Sequence, residues 1–485
     1  MTSSAINQRV LDRETDGKLL IAGQWTNGAG NSLPVKDKFM QHVLFHAQTP
    51  DEEQVKACVD FAHQAFRANR LNPYERGQIL DRAVELLFQK HDLFVRTMQL
   101  EAGFTFSDAT GEATRCLETL RLSAEEARRL SGEMIPLQGA PGQKGRMGFT
   151  LRIPLGVIAA ITPFNSPLNT VMHKIAPAFA AGNAVILKPS SQTPQTASLL
   201  AKVLIEAGMP PGFLSILHGS ANVVRWLQAD ERVRFFAFTG STEVGRVIQQ
   251  SAGLRRTQME LGSIACCILC DDANLDIALP KVVNAGYRKA GQVCTSVQLL
   301  LVHNSIKQQV ESKMKDLVGA LSFGDPLKQE TFVGPLISEV SAVRVAQWIE
   351  LAMNKGAKRL VGGERVGCVV PPTLLTDVSD DMEISCKEVF GPVVCILPFD
   401  SLRQAIERVN ATPYGLAAGI FTNRLTDAFE AARQLEVGGV HINETSSSRV
   451  DLMPYGGTKE SGFGREGPHY AVQEMTEERV VTITT

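Results

Sequence analysis

The sequence predicts an α/β protein built on a doubly wound parallel sheet, and three observations support this prediction. Short apolar runs alternate with segments of helical periodicity from residue 154 onward. The run Leu155–Ile161 is continuously apolar, which is typical of a strand buried on both faces of a parallel sheet. The chain has 485 residues, which is too long for a single hydrophobic core. We therefore expect more than one domain.

The first part of the chain predicts two short strands and a capped helix. The strands are expected at 18–21 and 39–45. The helix is predicted to begin at Thr49, which caps it, with Pro50 at the first helical position and Glu52 as the capping-box partner.

Two long amphipathic helices are predicted next, at about 74–101 and 108–131. Turn residues at 139–142 then predict a β-hairpin over 132–153, which leaves the helical layer and can serve as an arm for subunit contact. The last residues, 478–485, are predicted to form a terminal strand.

From residue 154 the predicted strands and helices alternate, so ligands are expected at the carboxyl ends of the strands. Strands are predicted at 155–161, 183–187, 213–217, 234–238, 264–270, 297–302, 392–397, 417–421 and 438–442, with helices near 166–181, 193–208, 220–228 and 242–252.

Composition excludes several classes of function. A net charge of −2 argues against a general nucleic-acid-binding protein and gives no reason to expect a membrane surface. No apolar run approaches about 18 residues and no signal peptide is evident. Nine scattered cysteines favour reduced thiols in a cytoplasmic protein. Cys267 and Cys270 have zinc-knuckle spacing, but no second pair matches them, so no metal site is predicted.

Three residues are candidates for catalysis. Cys294 lies among small and polar residues just before an apolar run, where a substrate can reach a thiolate. Asn165 follows the strand 155–161 and either forms a turn or donates to an oxyanion. Glu260 ends another strand and is either a solvated strand terminus or a general base.

Two further motifs are candidates for binding a phosphate or a ribose. Gly240, Ser241 and Gly245 open a helix directly after a strand and suit close approach of an anion, although a structural turn explains them equally well. Lys188 lies at the end of a strand and either reaches a ribose or phosphate or is a surface lysine.

Together these motifs resemble the aldehyde dehydrogenase superfamily over nearly the whole chain. Seven motifs occur in the family's order: Pro163-Phe164-Asn165, Lys188-Pro189-Ser190, Phe238-Thr239-Gly240-Ser241, Glu260-Leu261-Gly262, Gly291-Gln292-Val293-Cys294, Glu388-Val389-Phe390-Gly391-Pro392 and Pro454-Tyr455-Gly456-Gly457-Thr458-Lys459.

The resemblance implies roles for these residues. Cys294 is the expected nucleophile, Asn165 and the Cys294 N–H the oxyanion hole, and Glu260 the base that activates water. The residues expected at the NAD or NADP cofactor are Lys188, Ser191, Thr162, Phe164, Gly240, Ser241, Val244, Leu261, Glu388 and Phe390. The family fold also implies a cofactor-binding domain (1–131 and 154–261), a catalytic domain (262–445) and an oligomerisation arm (132–153 and 465–485) that builds a homodimer or homotetramer.

Ser191 bears on the choice of cofactor. Many NAD-preferring members carry a glutamate at this position, which would repel the 2′-phosphate of NADP, whereas a serine can donate to it. NADP is therefore a candidate cofactor, and the alternative is that the serine is only permissive and NAD is used.

The resemblance predicts a short polar or anionic aldehyde as the substrate. Residues expected to contact it are Arg449, Arg115, Arg121, Ser166 and His173. An arginine pairs well with a carboxylate, phosphate or sulfonate. Against this, Val293 stands where several anion-specific members have an arginine, and Arg449 can instead form an internal salt bridge with Asp451 or Glu444.

Four alternative functions remain open from the sequence. The enzyme can transfer its thioester to coenzyme A, which the presence of Glu260 disfavours, or accept a broad or aromatic range of aldehydes. A catalytically silent protein of the same fold is disfavoured by the presence of Cys294, Glu260 and Asn165 together. A Cys–His hydrolase is disfavoured because no histidine stands out as a partner for Cys294.

Overall fold

A computed structural model describes residues 17–68 and 70–484. The strands are β1 (Leu19–Ile21), β2 (Gln24–Thr26), β3 (Leu33–Lys36), β4 (Val43–Ala47), β5 (Met134–Ile135), β6 (Arg146–Pro154), β7 (Val157–Ile161), β8 (Ala184–Lys188), β9 (Leu214–Ile216), β10 (Val233–Thr239), β11 (Arg256–Glu260), β12 (Ala265–Leu269), β13 (Val297–His303), β14 (Lys358–Val361), β15 (Thr373–Thr376), β16 (Val393–Phe399), β17 (Tyr414–Gly415), β18 (Ala417–Phe421), β19 (Gly439–Ile442), β20 (Thr458–Lys459), β21 (Gly462–Phe463) and β22 (Thr476–Thr484).

The α-helices of the described residues are α1 (Glu52–Ala68), α2 (Pro73–Gln89), α3 (His91–Glu101), α4 (Phe106–Arg129), α5 (Asn169–Ala180), α6 (Pro194–Glu206), α7 (Ala221–Ala229), α8 (Thr242–Ala252), α9 (Leu275–Tyr287), α10 (Lys307–Gly319), α11 (Glu339–Asn354), α12 (Glu383–Cys386), α13 (Leu402–Ala411), α14 (Leu425–Gln434) and α15 (Pro468–Glu474). Short 3₁₀ turns lie at Leu137–Gly139, Arg288–Gly291 and Asn304–Ile306. None of these helices is both long enough and apolar enough to cross a membrane.

The predicted doubly wound sheet is confirmed. Its strands lie in the order β2-β1-β9-β8-β7-β10-β11-β21, and the five strands from β7 to β11 run parallel. Hydrophobic clusters cover both faces of this sheet, one formed with α2 to α6 and the other with α1, α7 and α8. The sheet is therefore buried on both sides, as its continuous apolar runs require.

A second sheet confirms the predicted second α/β region. It has seven strands in the order β14-β15-β16-β13-β12-β18-β19, of which only the edge strand β14 is antiparallel. Cys267 is buried inside β12, and the buried Cys270 directly follows that strand. Within the described residues, no group of three or more histidine, cysteine, aspartate or glutamate side chains is placed to hold a metal ion.

Three predicted boundaries are wrong. Helix α1 is capped by Asp51, whose side chain accepts from the Gln54 N–H at 2.8 Å, rather than by Thr49. The predicted helix 74–101 breaks at Lys90, which ends α2 and precedes α3. The predicted strand 39–45 starts later, at Val43, because the Asp37 carboxylate binds two backbone N–H groups and forms a turn there.

The arm is a three-stranded antiparallel sheet in the order β22-β6-β5. The predicted hairpin partner β5 pairs with β6 at only two positions, whereas β22 pairs with β6 along nine. The predicted terminal strand is thus the main partner, and residues 146–154 and 476–484 form one ribbon.

Candidate active site

A cavity of about 910 Å³ lies where the carboxyl ends of β7, β10 and β11 meet the loop before β13. Cys294, Glu260 and Asn165 all line this one cavity, although they are far apart in the sequence. The expected convergence of the three candidate catalytic residues is therefore observed. A second cavity of about 410 Å³ adjoins it and shares Arg115, Ser166, Arg288 and other wall residues.

The loop that carries Cys294 has an unusual backbone. Lys289, Ala290 and Gly291 have φ angles of 51°, 54° and 70°, so three successive residues lie in the left-handed region. Each non-glycine residue there costs about 1 kcal/mol or more, so surrounding contacts must hold the loop. Glycine is required at 291 for a further reason, because an added Cβ would lie 2.0 Å from the Gly391 carbonyl oxygen.

Lys289 supplies the contacts that hold this loop. Its ammonium group pairs with the buried carboxylate of Glu112 on α4 and donates to the Asn165 carbonyl at 3.0 Å. Its backbone N–H donates to the Asp108 carboxylate at 3.1 Å, and its ammonium lies 4.3 Å from the centre of the Phe104 ring. The loop that carries Cys294 is therefore tied to α4 and to the end of β7.

The Cys294 thiol has a hydroxyl and a carboxylate as neighbours. Its Sγ lies 2.9 Å from the Tyr455 hydroxyl, which in turn donates to Glu260 Oε1 at 3.4 Å. Burial, followed by the charge of Glu260, raises the pKa of the Cys294 thiol well above its ordinary value. The free thiol is therefore protonated at rest and needs a base to become a nucleophile.

Glu260 has the properties of such a base. It is 5% exposed, and burial, assisted by the negative charge of Glu466, raises the pKa of Glu260 to about 7. Glu466 is the ionised member of the two, because Lys174 and Arg449 each lie 3.0 Å from it and lower the pKa of Glu466. A carboxyl with a pKa near 7 can take and return a proton at neutral pH.

The Asn165 side chain lies beside the loop that carries Cys294. One amide N–H of its side chain donates to the Gln292 carbonyl at 2.8 Å, which fixes the amide beside this loop. The backbone N–H of Cys294 has no hydrogen-bond partner within residues 17–68 and 70–484. Asn165 and this N–H can together stabilise a negative oxygen on a carbon bonded to Sγ.

The residues present fit a nicotinamide dinucleotide, as two unpartnered polar groups show. The Lys188 ammonium, at the end of β8, has no polar partner in the described part of the chain, and burial lowers the pKa of Lys188 to about 8. The buried hydroxyl of Thr162, at the end of the neighbouring β7, is also unpartnered. The ammonium can donate to a ligand oxygen, and the hydroxyl can donate to or accept from one, so both can bind the hydroxyls of a ribose.

Other predicted cofactor residues surround the same region. Phe164 and Phe390 meet edge to face at 5.9 Å on the cavity wall. Ser241 caps α8, and a Cβ at Gly245 would lie 2.4 Å from a Leu261 methyl group, so the Leu261 side chain would have to shift to admit it. The remaining wall residues from the prediction are Gly240, Leu261 and Glu388. Four predicted cofactor residues lie outside the cavity wall: Thr162 and Lys188 at the ends of β7 and β8, the half-buried Ser191 on the loop after β8, and Val244, which is 47% exposed.

The predicted substrate residues divide into two groups. Arg115 and Ser166 line both cavities. Arg121 lines neither cavity, because it lies on the exposed face of α4 and pairs with Glu118. His173 is 1% exposed, lies outside the cavity wall and contacts the Asp451 carboxylate at 3.0 Å, so its contacts are internal.

Arg449 forms internal salt bridges, as the alternative to substrate binding predicted, and one of its partners is the predicted Asp451. It borders the cavity, but its guanidinium lies 3.0 Å from Glu466 and 3.8 Å from Asp451. It also stacks 3.7 Å from the centre of the Tyr455 ring. The other suggested partner, Glu444, pairs with Lys281 instead.

Three residues of the site were not singled out from the sequence. Tyr455 was noted only as part of a motif, and Arg288 and Lys289 were not considered. The guanidinium of Arg288 lines both cavities and has no hydrogen-bond or ion-pair partner among the described residues. The sequence feature that could have pointed to them is the basic pair Arg288-Lys289, which stands directly before Ala290-Gly291 and only a few residues before Cys294.

The fold and the site define an oxidoreductase that combines a nicotinamide-binding parallel sheet with a cysteine at the junction of two α/β domains. Comparisons with known proteins agree with this class. The model of the aldehyde dehydrogenase family matches residues 25–481. The chain therefore belongs to the aldehyde dehydrogenase family, and it is an aldehyde dehydrogenase that uses NADP or NAD.

Relatives resemble the chain over its length. It is 43% identical over 466 residues to the 3-sulfolactaldehyde dehydrogenase of Priestia aryabhattai, covering 96% of this chain and 97% of that protein. Aldehyde dehydrogenase 21 of Physcomitrella patens, solved with the reaction product succinate, is 36% identical with a TM-score of 0.94, covering 96% and 98%. The glyceraldehyde-3-phosphate dehydrogenase of Methanocaldococcus jannaschii, solved with NADP, is 34% identical with a TM-score of 0.91, covering 94% and 100%.

Proposed function

We propose that this enzyme oxidises a short anionic aldehyde to the carboxylic acid. The observation that carries the proposal is the free guanidinium of Arg288 on the wall shared by both cavities. An arginine without a partner at a cavity wall is stabilised by an incoming carboxylate, sulfonate or phosphate. Arg115, which borders the same wall, adds positive charge although it also pairs with Asp451 at 2.5 Å.

Two relatives agree with this substrate class. One is named for 3-sulfolactaldehyde, a sulfonate that is an anion at neutral pH. Another was solved with succinate, a dicarboxylate. Neither name assigns a substrate to this chain, but both ligands carry an anionic group beside the reacting carbon chain.

In the proposed reaction, the Cys294 thiolate attacks the aldehyde carbon to form a thiohemiacetal, whose alkoxide is stabilised by Asn165 and the Cys294 N–H. A nicotinamide dinucleotide bound beside Cys294 would supply the hydride acceptor that conversion of the thiohemiacetal to a thioester requires. Glu260 then takes a proton from water, and the resulting attack on the thioester releases the acid and restores the Cys294 sulfur.

The substrate class is tested with 4-oxobutanoate and butanal, which differ mainly by a carboxylate. We expect Arg288→Leu to lower kcat/KM for 4-oxobutanoate roughly 10-fold to 100-fold, as for loss of a charged hydrogen bond, and to change kcat/KM for butanal less than about threefold. Arg121→Leu, which removes the same charge outside both cavities, is the control. Equal losses for both aldehydes in Arg288→Leu would refute the anionic substrate.

The hydrolytic outcome is supported by the buried Glu260 carboxylate beside Cys294. Release of free acid in the absence of coenzyme A is the expected product. An acyl-coenzyme A product, with no free acid when coenzyme A is withheld, would replace this proposal with the acylating alternative.

We further propose that NADP is accepted, that the protein is cytoplasmic, and that it assembles as a homodimer or homotetramer through the arm. The arm exposes apolar side chains on both of its long strands, such as Met147 (49%), Leu151 (42%) and Val480 (59%), and such exposure favours burial against a second subunit. Sedimentation equilibrium tests the assembly, and a monomer at micromolar concentration would contradict it.

A further inference from the structure

The hydroxyl of Tyr455 contacts both of the groups that exchange protons in the proposed reaction, and these two groups also contact each other directly. The hydroxyl oxygen is 2.9 Å from Cys294 Sγ and 3.4 Å from Glu260 Oε1. A phenol can accept one hydrogen bond while donating another, so the thiol, the hydroxyl and the carboxylate form a continuous chain. No water is needed to connect the thiol with the carboxylate.

The position of Tyr455 is fixed from two directions. Its backbone exchanges two hydrogen bonds with Glu466, at 3.0 Å and 2.7 Å. The Arg449 guanidinium lies 3.7 Å from the ring centre, and the same guanidinium is held by Glu466 at 3.0 Å. The ring therefore has little freedom to swing out of the line between sulfur and carboxylate.

We propose that Tyr455 is a catalytic residue that passes the proton of the Cys294 thiol to Glu260 when the nucleophile is activated. This inference rests on the proposed function, in which Cys294 is the nucleophile. The S–H bond of Cys294 breaks as an O–H bond forms at Tyr455, while the original Tyr455 O–H bond breaks as one forms at Glu260 Oε1. The products are a thiolate, an unchanged phenol and a protonated carboxyl, so the atoms and the charge balance. Glu260 then releases this proton to solvent, which returns it to the carboxylate that later takes a proton from water.

The surroundings favour transfer through the hydroxyl rather than full ionisation of the tyrosine. Burial raises the pKa of the Tyr455 phenol well above its ordinary value, so a free phenolate is disfavoured, and the two transfers are expected to occur together. The charged groups near the relay are Glu466, Lys174, Arg449, Arg288 and Glu388. Glu466 is already paired with Lys174 and Arg449, which leaves Glu260 as the acceptor.

The test measures the rate at which iodoacetamide alkylates Cys294 between pH 5.5 and 9.5, followed by mass spectrometry of the whole enzyme. All proteins carry Cys386→Ser, because Cys386 is the exposed thiol of the described chain and would react as well. The parent protein is expected to react with an inflection near pH 7, the pKa of Glu260. In Tyr455→Phe the rate at pH 7 should fall roughly 10-fold or more, and the inflection should move to alkaline pH.

Two variants separate the relay from direct transfer between Cys294 and Glu260. If Tyr455 carries the proton, adding Glu260→Gln to Tyr455→Phe slows alkylation no further, because both changes interrupt one path. Additive effects, or a Tyr455→Phe profile that matches the parent, would overturn the relay. Glu260→Gln alone retains the tyrosine ring and should show the same alkaline shift, because the proton then has no acceptor. An unchanged Glu260→Gln profile would overturn Glu260 as the acceptor and the relay with it.

Tyr470→Phe is the matched control, since it removes a phenol hydroxyl from α15, outside the cavity wall. Its alkylation profile should equal that of the parent. Cys294→Ala distinguishes failure of the inference from failure of the proposed function. If this variant still oxidises aldehydes, the proposed nucleophile is wrong, whereas an inactive Cys294→Ala together with an unchanged Tyr455→Phe profile refutes the relay alone.

Discussion

Replacing Lys289 with methionine is expected to loosen the loop that carries Cys294. Lys289 pairs with Glu112, and their side chains are 9% and 2% exposed. Its backbone lies in the left-handed region together with Ala290, so the loop depends on the anchoring contacts of Lys289. Methionine retains much of the side-chain volume but removes the charge.

The loss of stability in Lys289→Met depends on the hydrogen bonds that Glu112 retains. Removing one partner of a buried ion pair costs about 3–5 kcal/mol. Glu112 retains hydrogen bonds from the Ser166 hydroxyl and from the Leu168 and Asn169 N–H groups, each at about 3 Å. We therefore expect a loss of about 3 kcal/mol, the lower end of that range, which corresponds to a few degrees in the apparent melting temperature of a chain of this length.

The assay combines thermal melting with steady-state kinetics. Lys289→Met should lower both the melting temperature and kcat, and adding Glu112→Gln should restore part of the melting temperature, because a neutral amide oxygen still accepts the remaining hydrogen bonds. Lys90→Met, which breaks the exposed pair between Lys90 and Glu206, is the control and should change little. Unchanged melting and kcat in Lys289→Met would refute the anchoring role.

Three further predictions concern the base, the cofactor and the backbone. Because Glu260 must be ionised to accept a proton and its pKa is about 7, the rate of thioester hydrolysis in single-turnover experiments should rise with pH through about 7 and level off above about pH 8; a rate independent of pH from 5.5 to 8 would contradict this. Ser191→Glu should lower kcat/KM with NADP at least about 10-fold relative to NAD, whereas Ser191→Ala should have a smaller effect; an unchanged ratio would remove Ser191 from the 2′-phosphate site. Gly291→Ala should abolish activity and lower the melting temperature more than Gly367→Ala, which shares a left-handed φ of 58° but has no atom within 4 Å of the added Cβ; equal effects would mean that contact with Gly391 is unimportant.

Much of the fold was predictable because its signals are local. The strands predicted at 155–161, 183–187 and 264–270 are each found as parallel strands within one or two residues of the predicted bounds. The boundaries that failed at Thr49 and at residues 39–45 depended on which side-chain oxygen binds the nearby backbone N–H groups. Both Thr49 and Asp51 can cap a helix, and their choice follows from which oxygen lies beside the Gln54 N–H.

By itself the sequence determined the chemistry available to this protein: a cysteine, a carboxylate and an amide at the ends of strands that a parallel sheet brings to one edge. Only the tertiary structure decided which charges remain free. Arg449 is occupied by Glu466 and Asp451, Arg121 lies on the surface, and Arg288 faces the cavity unpaired. The physical reason is that periodicity and turn preferences act over a few residues, whereas the distance between two side chains hundreds of residues apart is set only when the domains pack.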